Sequence, residues 1–181
     1  MQNKNIFYNT KIKCTVIDAI LNYTSTTKDW KIRPVYTSFY DESKVTDTRV
    51  IHDKTLPVCT TIPFNILKGD PFLKAVKSFC DFSVFYYPPS FFYPLHIDST
   101  PEYPGRKAGI NVELQESDCI TFFIEKGFFI EIPYEIGMYT LLNVNIPHAI
   151  LNRTKERYVF TIEPLRAQYN YEYFLKKFNH E

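Results

Sequence analysis

The sequence predicts a mainly β protein with a double-stranded β-helix, or jelly-roll, core, an N-terminal α/β elaboration and a C-terminal helix. From residue 82 onward, runs of about 4–8 residues rich in Val, Ile, Phe, Tyr and Thr alternate with Pro, Gly, Asn or Asp, as in antiparallel barrels and sandwiches. Apolar residues make up 45% of the 181-residue chain, which is enough for a sizeable core. The predicted strands are FSVFYYP, YPLHIDS, KAGINVEL, CITFFIEK, FFIEIP, GMYTLLNV, HAILNR and RYVFTIEP.

The chain length fits one domain, which we predict to span residues 1–181. Within it we assign residues 1–81 to the N-terminal elaboration with helices, residues 82–165 to the jelly-roll catalytic core, and residues 166–181 to the C-terminal helix. No internal repeat or low-complexity linker divides these parts.

Four shorter segments outside the predicted core have patterns that predict secondary structure: three helices and one extended segment. Residues 15–25 have rough helical spacing of apolar residues, and residues 167–178 predict a closing helix. Residues 70–82 predict a helix that begins with Asp70 as N-cap and Pro71 in the first turn. The segment WKIRPVYTSFY is extended, and its proline indicates an edge strand or a break.

Composition excludes some functions and favours one compartment. The net charge is +1, so the sequence gives no electrostatic basis for nucleic-acid binding, which we consider unlikely. The four cysteines form no CxxC motif, the N-terminus resembles no signal peptide, and no apolar run of about 18 residues predicts a membrane span. We expect a cytoplasmic protein with free thiols. The oligomeric state stays open.

The segment PLHID contains the first two candidate metal ligands. Because residues i and i+2 of a strand point to the same face, His96 and Asp98 are predicted to project side by side. The third ligand would come from His52, His148 or His180. A set of two histidines and one carboxylate leaves coordination positions open, which is typical of non-haem Fe(II).

The order HIDS followed by PHAILNRTKERYVFTI resembles the Fe(II)/2-oxoglutarate-dependent oxygenases, in particular the prolyl and aspartyl/asparaginyl hydroxylase-like branch with its phage and marine microbial members. The resemblance covers residues 80–165. It implies that His96, Asp98 and His148 hold Fe(II), that Arg157 binds the far carboxylate of 2-oxoglutarate, and that O2 is consumed. Arg157 suits this role because a guanidinium can bind both carboxylate oxygens at once.

Geometry supports Arg157 over its rival Arg153. If residues 147–152 and 157–163 formed a hairpin closed by RTKE, Arg157 would reach back toward His148, whereas Arg153 would fall in the turn with the wrong parity.

Other residues are candidates for the co-substrate pocket. The resemblance implies that Tyr87 or its neighbour Tyr86, and Asn111, contact the co-substrate, and Asn152 is either a turn residue or a further contact. Arg106 could meet the co-substrate or the substrate.

The segment KAGI departs from the family, which often has a tyrosine there; Tyr139 or Thr161 would complete the carboxylate pocket instead. The acidic residues of the core are expected on the exposed face of the sheet, and Cys119 is expected to be a small buried residue. These acids are Glu113, Glu116, Asp118 and Glu125.

The resemblance implies a dioxygenase that hydroxylates an amino-acid side chain, free or in a protein, while 2-oxoglutarate is decarboxylated to succinate. A cupin-type jelly roll that binds a metal or small ligand without turnover is the first alternative. A nucleic-acid oxidative demethylase is the second alternative, which the near-neutral charge disfavours. Residues 26–60 and 99–107 are the candidate substrate contacts.

Overall fold

The computed structural model describes residues 5–41, 46–98 and 108–179, without the side chains of residues 36–41 and 46–53. The predicted substrate loop 99–107, which includes Arg106, and the candidate ligand His180 lie outside the described residues. His52 is described only as part of a strand.

Eleven strands and four helices make up the described chain. The strands are β1 (Phe7–Lys13), β2 (Trp30–Asp41), β3 (Thr46–Cys59), β4 (Cys80–Tyr87), β5 (Phe92–His96), β6 (Gly109–Glu113), β7 (Ile120–Glu125), β8 (Phe128–Glu131), β9 (Met138–Leu142), β10 (His148–Leu151) and β11 (Arg157–Pro164). The helices are α1 (Ile17–Thr26), α2 (Phe64–Leu67), α3 (Pro71–Val76) and α4 (Tyr171–Asn179).

The strands form two sheets with antiparallel ladders. One sheet has seven strands in the order β1-β9-β6-β11-β4-β3-β2, and the other has four in the order β5-β10-β7-β8. The last eight described strands are therefore divided equally between the two sheets, with β4, β6, β9 and β11 in the larger sheet and β5, β7, β8 and β10 in the smaller sheet. This distribution is a jelly roll, and the predicted fold class is confirmed.

The N-terminal strands extend the larger sheet at both edges. Strand β1 pairs with β9, and the long β2–β3 hairpin pairs with β4, so β2 is an edge strand as its proline indicated. The β2–β3 register shifts just after Pro34, where proline cannot donate a ladder hydrogen bond.

The predicted helices are present with shorter bounds. Helix α3 begins after Asp70, whose side chain accepts a hydrogen bond from the backbone N–H of Leu73 at 3.0 Å. The same carboxylate accepts from the N–H of Thr15 at 2.8 Å and so ties the start of α1 to α3. None of the described helices is long and apolar enough to cross a membrane.

The predicted hairpin between residues 147–152 and 157–163 is wrong. Strand β10 pairs with β5 and β7 in the smaller sheet, whereas β11 pairs with β4 and β6 in the larger sheet. The segment between the two strands therefore crosses from one sheet to the other instead of closing a hairpin.

The core has three apolar clusters. The largest lies under the helices and includes Leu73, Tyr139, Phe160 and Phe174. The other two lie toward the space between the sheets, around Phe123 and around Tyr87. The functional site lies between these two smaller clusters.

Candidate metal centre

Strand pairing brings the candidate metal-ligating side chains together. His96 is the last residue of β5 and His148 is the first residue of β10, and the two are direct partners in the antiparallel ladder. Asp98 follows β5 by two residues, and its backbone N–H donates to the carbonyl of Val144 at 3.1 Å. That hydrogen bond fixes the carboxylate beside the two imidazoles.

The three side chains converge on one point. The Asp98 Oδ1 atom lies 3.4 Å from Nε2 of His96 and 3.9 Å from Nε2 of His148. The candidate ligand atoms all lie within 4.8 Å of one another. Among the described residues, these three side chains form the cluster of His, Cys, Asp or Glu that could hold a metal ion. A cation with bonds of about 2.1 Å holds adjacent ligand atoms roughly 3 Å apart, so modest side-chain rotation closes the set.

Backbone carbonyls fix which imidazole nitrogens face the centre. Nδ1 of His96 lies 2.8 Å from the carbonyl of Pro94, and Nδ1 of His148 lies 3.0 Å from that of Ile146. A carbonyl can only accept, so each Nδ1 carries the proton and each Nε2 presents its lone pair. Two lone pairs and a carboxylate therefore face one another, which is the donor set of a divalent metal site.

The surroundings of His148 keep its imidazole neutral. His148 is 4% exposed, and Phe123 stacks on its ring with centroids 4.9 Å apart. Burial, reinforced by neighbouring His96, lowers the pKa of His148 to about 4. A neutral imidazole is the form that binds a metal, and this environment maintains it at neutral pH.

A cavity of about 110 Å³ opens beside the three ligands, between the two sheets. Tyr87 and Asn111, both predicted to contact the co-substrate, line it together with Thr161. Its remaining wall contains the charged residues Arg33 and Glu163 and an apolar part that includes Leu56, Phe85, Leu142, Val144 and Ile150. Tyr86 does not line the cavity; it is on the opposite face of β4, where its hydroxyl donates to Glu156 at 2.9 Å.

Arg157 lies one layer behind the cavity wall and does not line it. Its Nη1 donates to the hydroxyl of Thr121 at 3.2 Å, and Thr121 is a lining residue. The same nitrogen donates to the sulfur of Cys119 at 3.1 Å. The guanidinium carbon lies 5.5 Å from the ring centroid of Tyr87 and 4.9 Å from that of Tyr134.

Glu113 is the direct partner of Arg157, and its predicted exposure is wrong. It is 4% exposed, and Arg157 donates to it from Nε at 2.7 and 3.1 Å and from Nη2 at 3.0 Å. Burial opposes the charge on Arg157, but the nearby Glu113 carboxylate more than offsets it, and the pKa of Arg157 lies well above its usual value. Strand parity along β6 could have predicted that Glu113 is buried, because Glu113 lies on the same strand face as Asn111, which was predicted to contact the co-substrate.

Asn152 does not line the cavity. It lies in the segment that crosses from β10 in the smaller sheet to β11 in the larger sheet, and its side chain stabilises that segment. Its Nδ2, which has two N–H donors, lies within hydrogen-bond distance of the carbonyls of Tyr87, Pro88 and Lys155, at 2.8, 2.7 and 2.8 Å. Tyr139 is also outside the cavity, since its ring packs on Phe72 with centroids 4.8 Å apart.

No protein-family model matches the sequence, and no curated protein matches it. Solved structures do match the fold. A Pseudomonas putida prolyl-4-hydroxylase is similar at 14% identity with a TM-score of 0.59, over 88% of this chain and 91% of that one. A Burkholderia pseudomallei protein of the 2OG-Fe(II) oxygenase family is similar at 13% identity with a TM-score of 0.53, over 83% and 82%.

A third similar structure is a Trichoplax adhaerens prolyl hydroxylase in complex with a hypoxia-inducible-factor peptide fragment. It has 13% identity and a TM-score of 0.57, over 90% of this chain and 83% of that chain. At these identities the likeness concerns the fold. The chain therefore has the jelly-roll fold seen in prolyl hydroxylases and other 2OG-Fe(II) oxygenases, as the sequence resemblance implied.

Proposed function

We propose that the protein is an Fe(II)/2-oxoglutarate-dependent dioxygenase that hydroxylates an amino-acid side chain, free or in a protein, and converts 2-oxoglutarate to succinate. The observation that carries the proposal is the convergence of two imidazole Nε2 lone pairs and the Asp98 carboxylate at the edge of a cavity. His96, Asp98 and His148 would hold the metal, and the cavity beside them would admit a chelating keto acid and O2.

Each ligand has a distinct task. His96 and His148 would hold the metal through Nε2, and the Nδ1 contacts to backbone carbonyls keep both rings in the required tautomer and orientation. Asp98 supplies the negative charge that neutralises part of the metal charge. Its side chain is 28% exposed, so it lies at the opening where a substrate would approach.

The cavity provides the place for the co-substrate. Asn111 and Thr121 offer polar atoms on its wall, and we propose that Arg157, behind Thr121, supplies the positive charge for the far carboxylate. When bound, Fe(II) with 2-oxoglutarate supplies the oxidising chemistry, and the chain orients the reactants and limits access of water.

The substrate class rests on the similar structures. A prolyl hydroxylase with a bound peptide fragment shares the fold, and the apolar wall beside Asp98 suits the aliphatic part of an amino-acid side chain. A reducing, cytoplasmic setting is part of the same proposal, and the four cysteines of the described chain are free thiols.

A metal-binding jelly roll without turnover is the alternative that the site itself disfavours. Such a protein has no need for a buried guanidinium next to the metal cavity. A nucleic-acid demethylase is disfavoured by the net charge of +1.

Anaerobic titration with Fe(II) and then 2-oxoglutarate tests the proposal. We expect a weak visible charge-transfer band in the wild-type protein, because the keto acid chelates the metal, and no band in the His148→Ala variant. Addition of O2 should then yield succinate from the wild type. Metal binding without a band, or equal bands in both proteins, would show that the cavity is not a 2-oxoglutarate site.

A further inference from the structure

The Arg157 guanidinium, which lies behind Thr121 of the cavity wall, is already paired with a carboxylate of the protein's own. Glu113 makes three contacts of 2.7–3.1 Å with Nε and Nη2 of Arg157. Ser117 donates to Glu113 Oε1 at 2.8 Å and holds the carboxylate from the other side. Both charged side chains are buried, at 1% and 5% exposure. The pair therefore brings no net charge to this end of the cavity.

The pair lies close enough to the cavity to act on a bound anion. Thr121 both lines the cavity and accepts a hydrogen bond from Nη1 of Arg157. Asn111, two residues before Glu113 on the same strand face, lines the cavity as well. An anionic group beside Thr121 and Asn111 would experience attraction from Arg157, which contacts Thr121, and repulsion from Glu113, which contacts Arg157.

We propose that Glu113 sets the affinity of the cavity for the far carboxylate of a keto-acid co-substrate by neutralising Arg157. This inference rests on the function proposed above. In a low-dielectric interior a single unit charge a few ångströms away changes the binding of an anion by roughly tenfold or more. Removal of the Glu113 charge should therefore strengthen binding of the dicarboxylic acid selectively.

A purely structural role for Glu113 makes a different prediction. If Glu113 served only to stabilise buried Arg157, its loss would lower the stability of the protein without changing the preference between two keto acids. The preference is therefore the informative measurement. The matched probes are 2-oxoglutarate and 2-oxopentanoate, which share the chelating end and the chain length and differ in the far carboxylate.

The experiment compares the Kd values of the two probes for Fe(II)-loaded protein under anaerobic conditions. Glu113→Gln keeps the shape and an acceptor for Ser117 but removes the charge. We expect 2-oxoglutarate to bind about tenfold more tightly than to wild type, with 2-oxopentanoate changed by less than about twofold. Glu116→Gln is the control, because Glu116 is exposed and pairs with Lys155 on the surface; its preference should equal that of wild type.

A second pair of variants covers the case in which Glu113→Gln does not fold. Arg157→Met and the double variant Glu113→Gln/Arg157→Met differ only in the negative charge of Glu113, as the wild type and Glu113→Gln do. The double variant buries no unpaired ion. We expect the double variant to bind 2-oxoglutarate about tenfold more tightly than Arg157→Met.

An unchanged or reduced preference for 2-oxoglutarate on loss of Glu113, with keto acids still bound, would overturn the role of Glu113 alone. If neither keto acid bound to the wild-type protein, the proposed function would fail and this inference with it.

Discussion

Glu113 and Arg157 are 44 positions apart in the sequence and form a buried, two-point ion pair across adjacent strands of the larger sheet. Glu113 is in register with Val159, so Arg157 is its diagonal neighbour on the same strand face. The pair depends on the tertiary structure, because Glu113 is in β6, Arg157 is in β11, and only the pairing of these two strands brings them together.

The pair has a consequence for stability that is independent of any ligand. Arg157→Met leaves the Glu113 carboxylate buried without its cation, and we expect a loss of about 3–5 kcal/mol in the free energy of unfolding. The double variant Glu113→Gln/Arg157→Met should recover most of that loss, because it removes both charges. Urea unfolding of the two variants and the wild type measures the difference, and equal losses in both would contradict this account.

The sequence predicted the parts of the structure that have local signals. Each of the last eight strands has its own apolar run and turn residues, and His96 and Asp98 could be paired from strand parity alone. Strands β1 and β3 were missed because FYNTKIK and TDTRVIHDKTLPVC contain many polar residues. Strand β1 is ordered by pairing with the distant strand β9, and β3 is ordered by its hairpin with β2 and by its contact with β4, rather than by their own apolar patterns.

Two errors at the site have a common physical cause. The burial of Glu113 depends on a cation from a different strand, and the hairpin prediction failed because β10 and β11 join different sheets. Sequence neighbours in a jelly roll are often partners across the core rather than within a sheet. Parity identifies which residues share a face, but it does not identify the sheet in which a strand lies.

Asn152 should matter for stability through its hydrogen bonds. Its two amide N–H donors are shared among three backbone carbonyls at 2.7–2.8 Å, and the side chain is fully buried. We expect Asn152→Ala to lower the free energy of unfolding by about 2–4 kcal/mol, since buried carbonyls lose their donor. Asn152→Asp, of the same size but with no amide donor, should be at least as destabilising.

Arg153→Ala is the control for Asn152, because Arg153 is the exposed next residue in the same crossing segment. Its effect should stay within about 0.5 kcal/mol. Chemical denaturation of the three variants separates these outcomes. A mild effect of Asn152→Asp would show that packing volume, rather than hydrogen bonding, is what Asn152 contributes.

Asp118 stabilises the same crossing segment from its outer side, in a pH-dependent way. Its carboxylate accepts hydrogen bonds from the hydroxyl and backbone N–H of Thr154 and from the N–H of Lys155. The Thr154 hydroxyl and then the Lys155 N–H lower the pKa of Asp118 to about 2. A carboxylate with a lowered folded-state pKa contributes stability above its unfolded value of about 3.9 and loses it as the pH falls toward 2.

Asp118→Asn should therefore be less stable than wild type at pH 7, and the difference should shrink between pH 4 and pH 2. Urea unfolding at several pH values measures this difference. Glu131→Gln, at an exposed position on β8, is the control and should show no such trend. A difference that is constant with pH would mean that the Asp118 charge is not the stabilising feature.

Metal binding should stabilise the folded protein through Asp98. A ligand that binds only the native state raises the free energy of unfolding, by about 2.7 kcal/mol at a concentration one hundred times its Kd. We expect Mn(II) or Co(II) to raise the thermal midpoint of the wild type and to leave that of Asp98→Asn nearly unchanged, because the amide supplies no negative charge to a site whose other donors are neutral imidazoles. Asp81→Asn, an exposed aspartate on β4, is the matched control and should respond to the metal as the wild type does. Equal stabilisation of Asp98→Asn and the wild type would place the metal at another site and remove Asp98 from the ligand set.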